Sequence, residues 1–165
     1  MAKLGIIGAM QVEVEILLGN MEDKKVMEKA GSTFYEGKLK GLPVVVVQCG
    51  VGKVNAALCA QILCSCYGVT HIVNTGIAGS LNAELDIGDF VISTDAVYHD
   101  MDATNFGYPM CQVPGMSVLA YPADEALAGA AMAAAEACNP GHNRMGRIAS
   151  GDQFVAEQAL KEQII

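Results

Sequence analysis

The chain has 165 residues, 52% hydrophobic and 17% charged, with a formal net charge of −8. That length holds one domain with a sizeable core, and the composition is that of a buried α/β protein rather than a disordered or coiled-coil chain. The only arginines are Arg144 and Arg147 and the apolar runs fall far short of the ~20 residues that span a bilayer, so neither nucleic acid nor a membrane is expected as a partner.

"KLGIIG" at 3–8 predicts a short buried strand ended by Gly8. It starts without a charged leader, a long apolar stretch or a cleavage site, and a cytoplasmic location is expected. A helix follows from about residue 11, with "GN" at 19–20 as its stop. "STFYEGKL" at 32–39 alternates as a half-buried strand does. Gly41-Leu42-Pro43 then turns into "VVVVQCG", a β-branched run typical of a strand covered on both faces. "GVGKVNAALCAQILCSCYG" is a glycine-rich turn feeding a long helix that ends at Gly68. "THIVNTGIAGS" predicts another buried strand running into a glycine-rich loop, and "DIGDFVISTDAVYHD" one more strand.

Residues 100–122 read as an irregular segment rich in aromatics, Met and Pro. "ADEALAGAAMAAAEAC" is an Ala-rich helix opened by Ala123-Asp124 and closed by "NPG". "RMGRIASGDQFV" predicts a strand ending in a turn, and "AEQALKEQII" starts a helix. Strands alternating with helices point to one α/β sheet with crossovers, in a single domain over 1–165 without repeats.

Three predicted strand ends open into glycine-rich loops: "IIGAM", "QCGVGK" and "NTGIAGS". Such carboxyl-end loops form the ligand crevice of α/β sheets, because glycine lets backbone amides approach a ligand closely. None is a dinucleotide fingerprint or a P-loop. Three of them at one sheet edge imply a small-molecule pocket. Lys53 fits either a phosphate ligand or a helix-start lysine facing solvent. "YHDMDATNFGYP" concentrates His99, Asp100, Asp102, Phe106 and Tyr108, but lacks the helix-borne spacing of a metal site and reads as a pocket or subunit-contact loop. His71 and His142 read as structural. The six cysteines contain no CxxC and read as buried thiols of a reducing compartment, without chemistry.

"GIIGAMQVEVEIL" at 5–17 carries two carboxylates in an apolar run. On a helical wheel Glu13 falls between Ile16 and Leu17, and Glu15 falls beside Gln11 on the polar side. Partial desolvation among apolar neighbours would raise the carboxyl pKa of Glu13 and suit it to act as a base. Its place in the first helical turn, where the dipole favours an anion, pulls the other way. From the pattern alone Glu13 stays a candidate.

Taken together, "GIIGAMQVEV", "GVGKVNAA", "NTGIAGSL", "GDFVISTDAVYHDMDATNFGYP", "QVPG" and "SGDQFV" resemble the 5′-methylthioadenosine/S-adenosylhomocysteine nucleosidases of the nucleoside phosphorylase superfamily, in that family's order along nearly the whole chain. The resemblance implies a three-layer α/β fold, a central mixed sheet flanked by helices. It also implies hydrolysis of the N-glycosidic bond of an adenine nucleoside to adenine and a 5-thioribose. The family's water-activating glutamate falls on Glu13. A carboxylate there would deprotonate water and offset the charge of an oxocarbenium-like transition state. The match further implies that Met10 and Val51 line the ribose and base pocket and that Gly79 meets the substrate by its backbone. Phe154 would stack on adenine and Val155 present main-chain groups to the base edge. Phe106, Tyr108 and Pro114 match residues that a neighbouring subunit contributes to the 5′-thio site, so a homodimer follows. No metal or cofactor is implied.

Ile77 stands where some members carry serine, and Gln11 replaces a non-catalytic acid. Family members continue past "KEQII", and their further residues carry a glutamate gripping the ribose hydroxyls, an aspartate protonating the leaving adenine, a sheet strand and the C-terminal helix. A chain ending at Ile165 is therefore expected to be a C-terminally truncated fragment, nearly inactive alone. The rival readings are a purine or uridine phosphorylase, a futalosine hydrolase, or a non-catalytic nucleoside-binding module. A phosphorylase relies on arginines to hold phosphate, and "GIIGAMQVEV" has none.

Overall fold

A computed structural model describes residues 2–164; the expectation attached to Ile165 lies outside the described residues. The chain forms two compact units, one up to Ala78 and one from Gly79.

The first unit runs β1 (Leu4–Gly8), α1 (Gln11–Asn20), β2 (Glu22–Lys29), β3 (Ser32–Leu39), β4 (Leu42–Gln48), α2 (Lys53–Tyr67) and β5 (His71–Asn74). Its five strands are ordered β2-β3-β4-β1-β5, with β1 parallel to both β4 and β5 and the β2-β3-β4 segment antiparallel. The run "VVVV" is buried on both faces, as expected, and its alternation builds two cores. Val44 and Val46 join Ile6, Val14 of α1 and Met21. Val45 and Val47 join Ile7, Phe34, and Cys59 and Leu63 of α2. Helices thus cover opposite faces of a central mixed sheet, and each fully buried valine stabilises it by about 1.5–3 kcal/mol. α2 ends at Gly68, whose left-handed backbone (φ 61°) closes the helix as the sequence predicts.

Three local readings change. β2, "EDKKVMEK", is unforeseen because its residues are almost all exposed and lack apolar alternation. Its existence comes from a two-residue turn: Ala30 and Gly31 have φ of 49° and 78°, the doubly positive conformation that joins tight hairpins. Lys40 and Gly41 (φ 48° and 80°) join β3 to β4 in the same way, so that turn sits one residue earlier than Gly41-Leu42-Pro43. β5, expected to be buried, exposes His71, Ile72 and Asn74, because it is the edge strand of its sheet and pairs only with β1.

The second unit runs β6 (Phe90–Tyr98), a 3-10 turn (Thr104–Phe106), β7 (Tyr121–Pro122), α3 (Glu125–Cys138), β8 (Asn143–Ser150) and α4 (Gln158–Ile164). Its ladder is β7-β6-β8, with β6 and β8 parallel. Asp124 caps α3, one carboxylate oxygen accepting the Leu127 N–H at 2.9 Å. Strands that alternation assigns to one sheet therefore lie in two hydrogen-bonded ladders, while the α/β class stands.

Candidate active site

The three glycine-rich loops do meet. β4, β1 and β5 are adjacent and parallel, so their carboxyl ends open side by side. Two bonds continue the ladder into the loops: the Cys49 N–H donates to the Gly8 carbonyl and the Thr75 N–H to the Ile7 carbonyl, each at 2.9 Å. The chain leaves β1 for β4 on one side and returns from β4 to β5 on the other. β1 is thus the switch point where such sheets form their crevice.

Glu13 sits on that opening, in the first turn of α1 and half-buried; Glu15, two residues on, is exposed. The wheel therefore separates the two correctly. Its reason for doing so does not hold, because Ile16 is 73% exposed and gives no apolar wall. Loop backbone surrounds the carboxylate instead. One oxygen, Oε2, accepts the N–H groups of Ala9 (2.7 Å) and Met10 (2.8 Å). The other, Oε1, accepts the Ile77 N–H at 2.9 Å. An ionised carboxylate has about four acceptor positions, so three fixed amides leave one free.

Two glycines make room for this arrangement. A Cβ at Gly76 would lie 2.6 Å from Oε1 of Glu13, and one at Gly8 would lie 3.2 Å from the Glu13 Cβ and 2.6 Å from Val14 Cγ1. The resemblance points to Gly79 and leaves Gly76 unmarked. Its signal was present: it is the first glycine after β5, the position nearest the β1 loop. Ile77 supplies its main-chain N–H to Glu13 while its side chain stays exposed, so the absence of a serine there leaves this contact intact.

Met10, at the helix start, touches Glu13 through its N–H and half-exposes its side chain. Val51, 74% exposed, lies on the β4 loop, its carbonyl held by the Asn55 side-chain amide at 2.7 Å. In the second unit Gly79 has nothing within 4 Å of an added Cβ. Phe154 is 94% exposed on the loop after β8 and Val155 beside it is half-buried. Phe106, on the 3-10 turn, is 84% exposed, Tyr108 half-buried and Pro114 exposed. Met10 and Glu13 are thus brought together in the first unit, and Phe154 and Val155 share one loop in the second.

The remaining candidates resolve into structure. Asp102 Oδ1 accepts both the N–H (3.0 Å) and the hydroxyl (2.7 Å) of Thr104, which hold its carboxyl below the usual range, the hydroxyl foremost. Among the described residues no group of three His, Cys, Asp or Glu could hold a metal ion. Lys53 is half-buried at the start of α2. His142 pairs with Asp89 at 3.0 Å, and Thr70 contacts His71 at 2.9 Å. Cys49 and Cys59 are buried as expected, but Cys64, Cys66 and Cys138 are exposed; all six are free. Burial pushes the Cys49 thiol up, away from reactivity. Arg147 is committed to a two-pronged pair with Asp95, at 2.6 and 2.8 Å.

Comparison with known proteins gives this arrangement its context. The phosphorylase superfamily matches residues 3–165. A 5′-methylthioadenosine/S-adenosylhomocysteine nucleosidase of Chromohalobacter salexigens is 42% identical over 163 residues, 99% of this chain and 69% of the relative. The crystal structure of a nucleosidase of that name from Colwellia psychrerythraea, in complex with adenine, superposes with a TM-score of 0.94 at 41% identity, covering 99% of this chain and 67% of that one. That from Neisseria meningitidis, in complex with methylthio-immucillin-A, superposes with a TM-score of 0.95 at 36% identity, covering 99% and 71%. The chain spans about seven-tenths of the length of these relatives. It belongs to the phosphorylase superfamily and, within it, to the 5′-methylthioadenosine/S-adenosylhomocysteine nucleosidases.

Proposed function

We propose that the protein hydrolyses the N-glycosidic bond of 5′-methylthioadenosine and of S-adenosylhomocysteine, releasing adenine and a 5-thioribose, with Glu13 as the base that activates water. The observation that carries this reading is the carboxylate with three fixed amides and one open acceptor position. A water bound there points a lone pair outward while its proton faces the base. The same anion offsets positive charge developing on the sugar, and because its donors are backbone it needs no reorganisation as the bond breaks. Met10 and Val51 line the sugar and base, Gly79 offers its backbone, Phe154 stacks on adenine and Val155 reads the base edge.

Residues 1–165 belong to one nucleosidase domain, paired in a homodimer whose neighbouring subunit lends Phe106, Tyr108 and Pro114 to the 5′-thio group. The reaction needs water and proton transfer alone, so no cofactor enters. Six free thiols suit a cytoplasmic setting, no described helix is long and apolar enough to cross a membrane, and adenine and 5-thioribose products fit a role in methionine salvage. Phosphorolysis is disfavoured because both arginines lie on β8 and Arg147 is already paired.

The test is Glu13→Gln beside Glu15→Gln in the full gene product. A base contributes about 10²–10⁴ in rate, so the first should fall at least that far and the second stay within a few-fold. Adenine release should not depend on phosphate. Equal losses in the two variants would remove Glu13 from its role.

A further inference from the structure

The end of β6 and the loop after β8 are joined by three contacts that no element of the reaction yet explains. β6 and β8 pair in parallel as far as Tyr98 opposite Ser150. The His99 N–H then extends the ladder, donating to the Ser150 carbonyl at 3.0 Å. One residue further, Asp100 Oδ2 accepts the Asp152 N–H at 2.8 Å, tying down the loop's backbone where the strand has ended. Between these bonds the imidazole of His99 lies edge-on against Gly151. A Cβ added there would fall 2.7 Å from Cε1 and 2.8 Å from Cδ2 of the ring, and closer still to Nε2. Gly151 does not have a positive φ, so the glycine serves the close approach rather than an unusual backbone.

Gly151 and Asp152 lead through Gln153 to Phe154 and Val155. Phe154 is 94% exposed, so its own side chain cannot set the path of the loop. The geometry points to His99 and Asp100 as positioning residues: the ring and the carboxylate set the course of residues 151–153 and thereby aim Phe154 and Val155 at the adenine base. This rests on the reading of Phe154 as the base-stacking residue. An aromatic platform holds a planar base well only when its tilt and height are fixed. A lost hydrogen bond to a charged group, or a shift near 1 Å, is worth on the order of tenfold to a hundredfold.

The experiment is a cycle in the full gene product: Gly151→Ala, His99→Ala, both together, Asp100→Ala and Asp100→Asn, with Phe154→Ala beside them. The readouts are the dissociation constant for adenine, the split between KM and kcat, and amide hydrogen exchange at 152–155. Gly151→Ala is expected to weaken adenine about tenfold or more and raise KM more than it lowers kcat. In the His99→Ala background the same change should cost less than about twofold, because the ring it meets is gone. Asp100→Ala should speed exchange at 152–155, and Asp100→Asn, which keeps an acceptor, should restore most of the protection. An equal Gly151→Ala penalty in both backgrounds, or none in either, overturns the proposal. If Phe154→Ala binds adenine normally, the stacking role fails and exchange decides the clamp: faster exchange in His99→Ala and Asp100→Ala supports it, unchanged exchange overturns it.

Discussion

Gly76→Ala tests the geometry of the base without touching its chemistry. The added Cβ would lie 2.6 Å from Oε1 of Glu13, 3.0 Å from its Cδ and 3.3 Å from Oε2, against the 3.4 Å at which ordinary contact begins. The carboxylate must therefore retreat from Gly76 by about 0.8 Å, moving away from Ile77, and the 2.9 Å bond from that N–H stretches past useful range. A hydrogen bond to a charged group is worth about 1.5–3 kcal/mol, roughly tenfold to a hundredfold or more in rate if it is fully expressed at the transition state. Misplacement of a catalytic group on this scale costs a similar factor. Gly76 lacks a positive φ, so alanine brings no backbone strain of its own. The assay is adenine release at saturating 5′-methylthioadenosine, with urea unfolding in parallel. A kcat lower by about 10² is expected, with KM moved less. Gly129→Ala on α3, where an added Cβ meets nothing within 4 Å, is the control for glycine replacement as such. A Gly76→Ala enzyme within threefold of the parent kcat would show that the fixed position of the carboxylate is not what the site uses.

Two further outcomes concern the scaffold. Hydrogen bonding from Arg147 holds the Asp95 carboxyl below the usual Asp value of about 3.9. Its contribution to stability is therefore present above that value and lost as pH falls through the depressed one, where the folded state must finally take up the proton. Asp95→Asn should flatten the acid limb of the thermal stability profile below about pH 4, most clearly at low salt, and an unchanged limb would deny the pair any role. Leu63→Ala empties a fully buried position between α2 and the sheet; Leu63 Cδ1 would stand 3.0 Å from a Cβ at Gly5. A loss of about 2–5 kcal/mol in urea unfolding is expected, because the tightly filled face collapses poorly.

How much of this was legible in the sequence varies with what holds each element. "VVVVQCG", "STFYEGKL" and the helix ending at Gly68 were readable because burial and glycine conformation leave periodic or punctuating marks. β2 was not, since an exposed charged strand is held by a turn and its partner's ladder rather than by its own side chains. The convergence of the three loops followed from strand ends alone. The helical wheel favours Glu13 over Glu15 by expecting apolar walls, whereas backbone amides surround its carboxylate. Backbone donors have no residue-type signature, and the one from Ile77 comes from 64 positions away. The same holds for the His99–Gly151 approach: glycine, histidine and aspartate were each visible, but nothing local marks which of them touch.

A glutamate at the third position of a helix that reaches back to the N-terminal N–H groups is an ordinary capping device, so two of the three bonds to Glu13 have a purely structural explanation. Magnitudes argue that this explanation is not sufficient. A helix cap is worth about 0.5–2 kcal/mol. Here the arrangement also requires side-chain-free positions, at Gly76 against the carboxylate and at Gly8 against Val14 Cγ1 and the Glu13 Cβ, and each glycine in place of alanine costs roughly 0.5–1 kcal/mol of chain entropy. The stabilisation and its cost are of the same size, so selection for stability alone has little to gain from the full arrangement. The Ile77 bond caps nothing on α1. Its effect is to fix the second carboxylate oxygen against the β5 loop, so that the angle of the remaining acceptor position is set jointly by two strand ends. A cap does not need that constraint, whereas a base that must meet one water in one orientation does.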